Sequence, residues 1–238
     1  MCRVKPKRTQ RNLNWDDAPK NFVLANNEVH VWVADLETIA EREYSTVLST
    51  DEMERARRFH FESDRKNFIT ARGLLRTLLA HYTKTSPTNL QFSYSSNGKP
   101  SLTFAAQFGN LKFNLSHSDG MAVYAIAKNR ELGIDIESLR PFAEMHDVAG
   151  RCFSAHEQSS LRSLASPKQE EKFFRYWTRK EAVLKCTGEG FSDERDRIGD
   201  MNFAGIILEL HPADGFIATL AVLGEPFTLK TWRTFADF

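Results

Sequence analysis

The stretch Glu131-Leu-Gly-Ile-Asp-Ile-Glu137, near the middle of the 238-residue chain, decides how the fold is interpreted. Asp135 and Glu137 are two residues apart, and in a β-strand that spacing places both side chains on one face. Ile134 and Ile136 then point to the opposite face, towards a core. Two adjacent carboxylates repel each other unless a cation lies between them, and Mg²⁺ prefers such hard oxygen ligands. By itself the stretch fits either an exposed acidic strand face or two ligands of a magnesium site.

Length, composition and charge indicate a globular protein of one large domain or two small ones. The formal net charge of +1 gives no overall preference for nucleic acid or an anionic membrane. Three cysteines without a close pair argue against disulfides and a zinc site, and fit a reducing cytoplasm. No apolar run approaches the roughly 20 residues of a membrane span. Residues 1–14 are basic and lack an apolar core, so we expect a frayed tail and no secretory signal.

The first half of the chain concentrates arginines in two predicted helices. The second helix is expected to begin near Asp64, to end near Lys84 and to bury one stripe of apolar residues. Arginines on a helix are often simply solvated, but guanidinium groups also fit phosphate oxygens well. The arginines concerned are Arg55, Arg57, Arg58, Arg72 and Arg76.

Two polar motifs follow in the first half. Asn97-Gly98 predicts a tight turn, after which Lys99 and Pro100 stand on an exposed loop. The next predicted strand ends in a polar tip that contains Ser116 and His117. Adjacent residues on a strand point to opposite faces, so these two are not a nucleophile and its base. Their donors suit phosphate oxygens, although a solvated turn lysine and a structural histidine remain alternatives.

The strand pattern predicts one arrangement that occurs twice. Residues 121–127 and 131–137 predict two strands joined by a turn, so we expect a hairpin that presents Asp135 and Glu137. Alternation returns between residues 203 and 232, where we expect three antiparallel strands. Each half therefore has a strand, then helices, then strands. The inferred fold class is α+β, built twice without a detectable sequence repeat.

A long helix predicted from about residue 168 to 186 carries a second ionisable pair. Ser154-Ala-His-Glu157 predicts a capping box for the helix before it. Glu181 and Lys185 are one turn apart on the long helix. As a surface pair they would stabilise the helix by only about 0.2–0.5 kcal/mol. Because this helix is largely apolar, a carboxylate and an ammonium on it also fit the lining of a cleft.

Together, Gly133-Ile-Asp-Ile-Glu137 and the later Trp177-Thr-Arg-Lys-Glu-Ala-Val-Leu-Lys185 resemble the signature of the 4′-phosphopantetheinyl transferases. Asn114-Leu-Ser-His-Ser118 and Gly98-Lys-Pro100 match the upstream motifs of that family. The four motifs occur in the family's order, and the resemblance spans about residues 48 to 190. The chain length resembles the long, single-chain surfactin-type branch. Members of that branch have two similar halves with the active site in the cleft between them.

This resemblance implies an architecture and an activity. We expect a basic tail (1–20), an N-terminal half (21–128) and a C-terminal half (129–238), each half an antiparallel sheet packed with helices, in a cytoplasmic monomer. The implied reaction moves the phosphopantetheine arm of coenzyme A to a serine of an apo acyl or peptidyl carrier protein, with Mg²⁺, and releases 3′,5′-ADP. Neither nucleic acid nor a membrane is an expected partner. Fatty-acid, polyketide and non-ribosomal peptide pathways all remain open.

The resemblance also implies roles for individual residues. Asp135, Glu137 and Glu181 match the family's metal ligands, and Glu181 also matches its general base, acting directly or through a metal-bound water. Lys185 matches the lysine on the pyrophosphate. Arg55 and Arg72 are implied at the 3′-phosphate, although which arginines contact it stays open. The complete set of implied coenzyme A contacts is Arg55, Arg72, Lys99, Pro100, Ser116, His117 and Lys185.

Two other function classes remain to be weighed. A metal-dependent nuclease also combines an acidic pair with a further Glu and Lys, but it needs a basic groove, and its lysine normally stands two residues from an acid on a strand. The balanced charge and the helical spacing of Glu181 and Lys185 speak against it. A non-catalytic module that binds carrier protein or coenzyme A is the other alternative, and the intact trio of carboxylates argues against it.

Overall fold

The computed structural model describes residues 14–19, 21–188 and 203–234, and the chain divides into two compact units. The strands in these ranges are β1 (Asp16–Asp17), β2 (Glu28–Asp35), β3 (Phe92–Tyr94), β4 (Pro100–Leu102), β5 (Leu111–Ser118), β6 (Met121–Lys128), β7 (Leu132–Ser138), β8 (Gly205–Leu210), β9 (Phe216–Leu223) and β10 (Thr228–Arg233). The α-helices are α1 (Glu41–Ser45), α2 (Thr50–Ala56), α3 (Glu62–Thr83), α4 (Met145–Cys152), α5 (Ala155–Arg162) and α6 (Lys168–Thr187), with 3₁₀ turns at Pro87–Asn89 and Ala105–Phe108.

The N-terminal unit contains the described residues up to Asn129 together with those from Phe227 onward. Its five-stranded sheet has the order β1-β10-β2-β6-β5, in which β10 runs parallel to both of its neighbours. The apolar stripe of α3 forms one core with side chains of this sheet, including Trp32 and Tyr124, which are fully buried. The short hairpin β3–β4 forms a separate two-stranded sheet.

The C-terminal unit contains the described residues from Arg130 to Pro226. Its sheet is antiparallel with the order β7-β9-β8, and α6 packs on β7 and β9. Phe173 and Phe174 of α6 form an apolar cluster with Ile217 of β9 and Phe153 before α5. Because α6 lies directly over β7, it brings its own side chains to the acidic strand.

The two units repeat one topology. In the N-terminal unit β2 is followed by α1 to α3 and then by the hairpin β5–β6, and β2 pairs with the second hairpin strand. In the C-terminal unit β7 is followed by α4 to α6 and then by the hairpin β8–β9, and β7 again pairs with the second hairpin strand. The predicted α+β fold with two similar halves is therefore confirmed.

Two predicted strand pairings are wrong. Strands β6 and β7 do not form a hairpin, because β6 lies between β2 and β5 whereas β7 pairs with β9 in the other unit. The last three strands do not form one antiparallel sheet, because β10 joins the N-terminal unit and makes its sheet mixed. In both cases the strand was identified correctly, but its partner is distant in sequence.

Several local predictions can be compared with the described ranges. Of the predicted tail, residues 1–13 and residue 20 lie outside those ranges, while Asp16–Asp17 pair with β10. Asp119-Gly120 and Asn97-Gly98 form the turns of the hairpins β5–β6 and β3–β4, and Gly98, Asp119 and Gly120 all have positive φ. The helix that was expected to begin near Asp64 begins two residues earlier, at Glu62, with Phe61 at its N-cap. No helix in the described ranges combines the length and apolar character that crossing a membrane requires.

Candidate active site

Strand β7 presents its two carboxylates to α6, as the alternation of a strand requires. Asp135 is 4% exposed, and the side chain of Glu137 is 20% exposed. Ile134 and Ile136, on the opposite face, are buried. The position of Gly133 identifies what the acidic face packs against, because a Cβ there would lie 2.1 Å from the carbonyl oxygen of Ala182 in α6. Glycine therefore permits the backbone of α6 to lie directly on β7.

The long helix supplies the opposite charge at this contact. Lys185 Nζ donates a 2.7 Å hydrogen bond to Asp135 Oδ1, and its side chain remains 28% exposed. Glu181 lies one turn earlier on the same helix and is half-buried. Burial raises the pKa of Glu181, and the charges of Asp135 and Glu137 raise it further, while Lys185 lowers it. The structure therefore brings together the four ionisable residues that the sequence singled out in this half.

In the structure these side chains are not arranged as a metal centre. Among the described residues, no three His, Cys, Asp or Glu side chains are arranged so that they could hold a metal ion together. Asp135 instead holds the Lys185 ammonium. The chemistry of the donor set nevertheless fits Mg²⁺, because it consists of carboxylate oxygens, and besides burial the charges of Asp135 and Glu137 raise the pKa of Glu181. A divalent cation among them would relieve that repulsion.

The sequence prediction missed a contact at the acidic strand. Arg140 Nη1 lies 3.4 Å from Glu137 Oε2 and donates a 2.7 Å hydrogen bond to Ser138 Oγ. Its guanidinium carbon also lies 5.4 Å from the centre of the Phe174 ring on α6. Arg140 therefore orients the end of β7 beside Glu137. Its spacing of three residues from a carboxylate was the available sequence signal.

In the N-terminal unit, a buried carboxylate organises two of the arginines. Glu52 is 3% exposed and closes the capping box of α2, with Ser49 N donating to Glu52 Oε2 over 3.0 Å. Arg72 Nε and Arg76 Nε of α3 donate to its two oxygens over 2.5 and 2.6 Å. Burial alone would raise the pKa of Glu52, but the two arginines and the cap outweigh burial and hold it below its usual range. Ser49 occupies the N-cap position of α2.

The surroundings of Arg72 differ from those expected of a phosphate ligand. Arg72 is 6% exposed, it donates a 2.8 Å hydrogen bond from Nη2 to the Tyr94 hydroxyl, and its guanidinium carbon lies 4.2 Å from the centre of the Phe92 ring. Arg76 donates from Nη1 to the carbonyl oxygens of Pro87 and Leu90. These contacts give both arginines a structural role between α2, α3 and the β3–β4 hairpin. A coenzyme A contact from Arg72 stays a prediction, and its burial argues against it.

Arg55 is placed differently, on the exposed side of α2. It lies in the last turn of that helix, and its guanidinium carbon is 5.5 Å from the centre of the Phe68 ring on α3. Together with Arg58 and Phe59 it lines an open surface pocket. Two guanidinium groups beside an aromatic ring can hold an anionic group next to a planar one.

The remaining predicted residues lie on strands and a turn of the N-terminal unit. Lys99 follows the Asn-Gly turn, with its backbone nitrogen 3.1 Å from Ser95 Oγ, and Pro100 begins β4. Ser116 and His117 are adjacent near the end of β5, where Ser116 is buried and His117 is exposed. The two side chains therefore point to opposite faces, as the strand period predicts. Strand β4 lies against β5, so both motifs belong to one region of this unit.

Comparison with known proteins supplies an independent observation. Residues 131–233 match the model of the 4′-phosphopantetheinyl transferase superfamily, and residues 38–129 match the model of the 4′-phosphopantetheinyl transferase N-terminal region. The chain is 38% identical over 231 residues to the 4′-phosphopantetheinyl transferase HetI of Nostoc sp. strain PCC 7120, which spans 92% of this chain and 98% of that protein. It is 28% identical over 149 residues to the transferase Sfp of Bacillus subtilis strain 168, with 63% of this chain and 64% of Sfp matched. The transferase AcpT of Escherichia coli K12 is 37% identical over 113 residues, which span 48% of this chain and 55% of AcpT.

Proposed function

The chain belongs to the 4′-phosphopantetheinyl transferase superfamily, and we propose that it moves the 4′-phosphopantetheine arm of coenzyme A to a serine of an apo carrier protein. In this reaction serine Oγ bonds to the β-phosphorus of coenzyme A, the pyrophosphate P–O bond breaks, and 3′,5′-ADP leaves. The observation that carries the proposal is the contact between the acidic face of β7 and the Glu181–Lys185 turn of α6. Membership in this enzyme family favours a transferase over the two other function classes, a metal-dependent nuclease and a non-catalytic binding module.

The residues at this contact have complementary tasks in the proposal. Lys185 supplies positive charge for the pyrophosphate, whose charge increases on the leaving group during transfer. Glu181 accepts the proton of the carrier serine, because its raised pKa makes it a better base than an ordinary carboxylate. Asp135 holds Lys185 in place through the 2.7 Å hydrogen bond. Nothing covalent is asked of the protein, so positioning and electrostatics carry the reaction.

We keep Asp135, Glu137 and Glu181 as the proposed ligands of Mg²⁺, and to hold the ion together they must shift from their arrangement in the structure. When bound, the ion neutralises negative charge on the transferred phosphate and on 3′,5′-ADP. The donor set supports this assignment, since burial and the charges of Asp135 and Glu137 outweigh Lys185 and raise the pKa of Glu181. In the N-terminal unit Arg55 is exposed, unlike Arg72, and is the proposed contact for a phosphate of coenzyme A. We also keep Lys99, Pro100, Ser116 and His117 as proposed contacts of coenzyme A.

Mass spectrometry of apo carrier proteins tests the activity. The purified protein is incubated with coenzyme A, Mg²⁺ and a panel of acyl and peptidyl carriers from fatty-acid, polyketide and non-ribosomal peptide systems. We expect the mass of at least one carrier to increase by one phosphopantetheinyl group, with one equivalent of 3′,5′-ADP released. A carrier whose acceptor serine is replaced by alanine is the matched control. No mass gain on any carrier of the panel would contradict the proposal.

The same assay separates the metal from the transfer itself. Treatment with EDTA should abolish the mass gain, and added Mg²⁺ should restore it. Full activity after exhaustive chelation would remove the metal from the proposal and leave the transfer intact. The ranking of carriers by kcat/KM identifies the pathway class, and size-exclusion chromatography with light scattering tests the proposed monomer.

A further inference from the structure

A buried lysine next to the proposed base is not used by the reaction. The side chain of Lys180 is 2% exposed, and its ammonium lies 2.9 Å from Glu157 Oε2 and 5.6 Å from the centre of the Phe153 ring. Within the described residues Lys180 Nζ makes no directed hydrogen bond, so the ion pair with Glu157 is what balances its charge. Removing the partner of a buried ammonium is strongly destabilising, so Lys180 needs the Glu157 carboxylate beside it.

Glu157 is itself held in a fixed position. It occupies the N3 position in the capping box of α5. Its Oε2 accepts hydrogen bonds from Ser154 N over 2.9 Å and from Ser154 Oγ over 3.1 Å. The start of α5 is therefore tied to one point along α6. Consecutive residues on a helix are separated by about 100° around its axis, so Lys180 can point to α5 while Glu181 points to the acidic strand.

The N-terminal unit contains the same device. Glu52 occupies the N3 position in the capping box of α2, and it pairs with the buried Arg76 of α3. Arg76 and Lys180 both lie eight residues before the left-handed C-cap of their helix, which is Lys84 in α3 and Gly188 in α6. Both cations have side chains that are 2% exposed. The two units have no detectable sequence repeat, yet both have this ion pair at the same helix position, which argues for a common function.

We propose that Glu157 and Lys180 are positioning residues for Glu181, and that Glu52 and Arg76 are their counterparts for the proposed coenzyme A contacts of the N-terminal unit. In the C-terminal unit the ion pair fixes the rotation of α6, while Gly133 fixes the close approach of α6 to β7. In the N-terminal unit Glu52 fixes α2, which carries Arg55. Through Arg72 and Tyr94 it also holds the hairpin that carries Lys99. This inference rests on the proposed transferase function.

Two glutamine substitutions test it in parallel. Glu157→Gln and Glu52→Gln both keep a residue that suits the third position of a capping box, and both leave buried cations without their carboxylate. We expect Glu157→Gln to lower kcat by roughly 10- to 100-fold with little change in the KM for coenzyme A, as for residues that orient a reactive group. We expect Glu52→Gln to raise the KM for coenzyme A with a smaller change in kcat. Each variant serves as the control for the other, and the thermal stability of both is measured alongside the kinetics.

A second pair of variants separates positioning from folding. The double variant Glu157→Gln/Lys180→Met removes the buried charge and should regain thermal stability relative to Glu157→Gln, because an apolar replacement of a buried ion pair is often tolerated. Its kcat should stay low. Lys180→Arg keeps the charge of the pair and should retain more of the wild-type kcat than Lys180→Met.

The possible outcomes are distinct. If kcat of these variants follows thermal stability, so that the double variant regains both, the pair is only structural and the inference is overturned. Equal effects of Glu52→Gln and Glu157→Gln on kcat and KM would overturn it as well. The wild-type protein is measured first, because failure to modify any carrier overturns the proposed function itself and with it this extension.

Discussion

Replacing Gly133 with alanine tests the packing that assembles the candidate site. A Cβ at this position would lie 2.1 Å from the carbonyl oxygen of Ala182 and 2.4 Å from the backbone nitrogen of Cys186. Both neighbours are backbone atoms of a packed helix, so no side chain can rotate away to make room. Strand and helix must separate until this distance grows from 2.1 Å to at least 3.4 Å, a change of about 1.3 Å, before the contact becomes an ordinary van der Waals contact.

That separation has a predictable cost in stability and in rate. We expect Gly133→Ala to lower the free energy of unfolding by about 1–3 kcal/mol, as for overpacked cores, or by more because backbone must move. The hydrogen bond between Lys185 and Asp135, now 2.7 Å long, would lengthen. A misplacement of about 1 Å near the chemistry can lower the rate by about 100-fold. We therefore expect kcat to fall further than the loss of stability alone explains.

The assay combines urea unfolding, followed by circular dichroism, with carrier-protein modification at a temperature where the variant is folded. Gly150→Ala is the matched control, since Gly150 lies in α4 and a Cβ there meets nothing within 4 Å. It should raise stability by about 0.4–1 kcal/mol and leave kcat unchanged. The reasoning is refuted if Gly133→Ala has native stability and native kcat.

Three further perturbations follow from the described contacts. Asp135→Ala should keep the fold but lower kcat more than the roughly 10- to 100-fold typical of residues that only support a ligand, and a near-native rate would show that Asp135 is not part of the site. Glu181→Gln should lose most of kcat while isothermal titration still detects coenzyme A binding, and unchanged turnover would remove Glu181 as the base. Stability should fall as the pH decreases from about 6.5 to 4, because burial lowers the pKa of His30 to about 4 and an unfolded chain takes up that proton first. Urea titrations across this pH range measure the loss, at most about 3 kcal/mol, and a His30→Gln variant with the same pH slope would contradict this origin.

Much of the local structure was predictable because it depends on residues close in sequence. The positive-φ turn at Asp119-Gly120 follows from residues that tolerate this conformation. The capping box from Ser154 to Glu157 is confirmed for the same reason, since both partners lie within one helical turn. The exact ends of helices were less predictable: α3 begins at Glu62 and not at Asp64, because apolar spacing alone marks neither end of a helix.

The candidate site shows the same division between local and distant information. The period of two along a strand determined that Asp135 and Glu137 share a face, and the period of the helix placed Glu181 one turn from Lys185. That α6 lies on this face required the tertiary structure. The ion pairs of Arg72 and Lys180 were likewise outside the reach of sequence patterns, because their partners Glu52 and Glu157 lie 20 or more residues away.

The sequence by itself therefore indicated the main strands and helices of this protein, their buried faces and the family to which its motifs point. Only the tertiary structure decided which strands pair. Strand β10 pairs with β2, which lies near the other end of the sequence, and β7 pairs with β9 and not with the preceding strand β6. The physical reason is that side-chain period and turn conformation are properties of a few neighbouring residues. The choice of a partner depends instead on which apolar faces can be buried together and on which buried charges can be balanced.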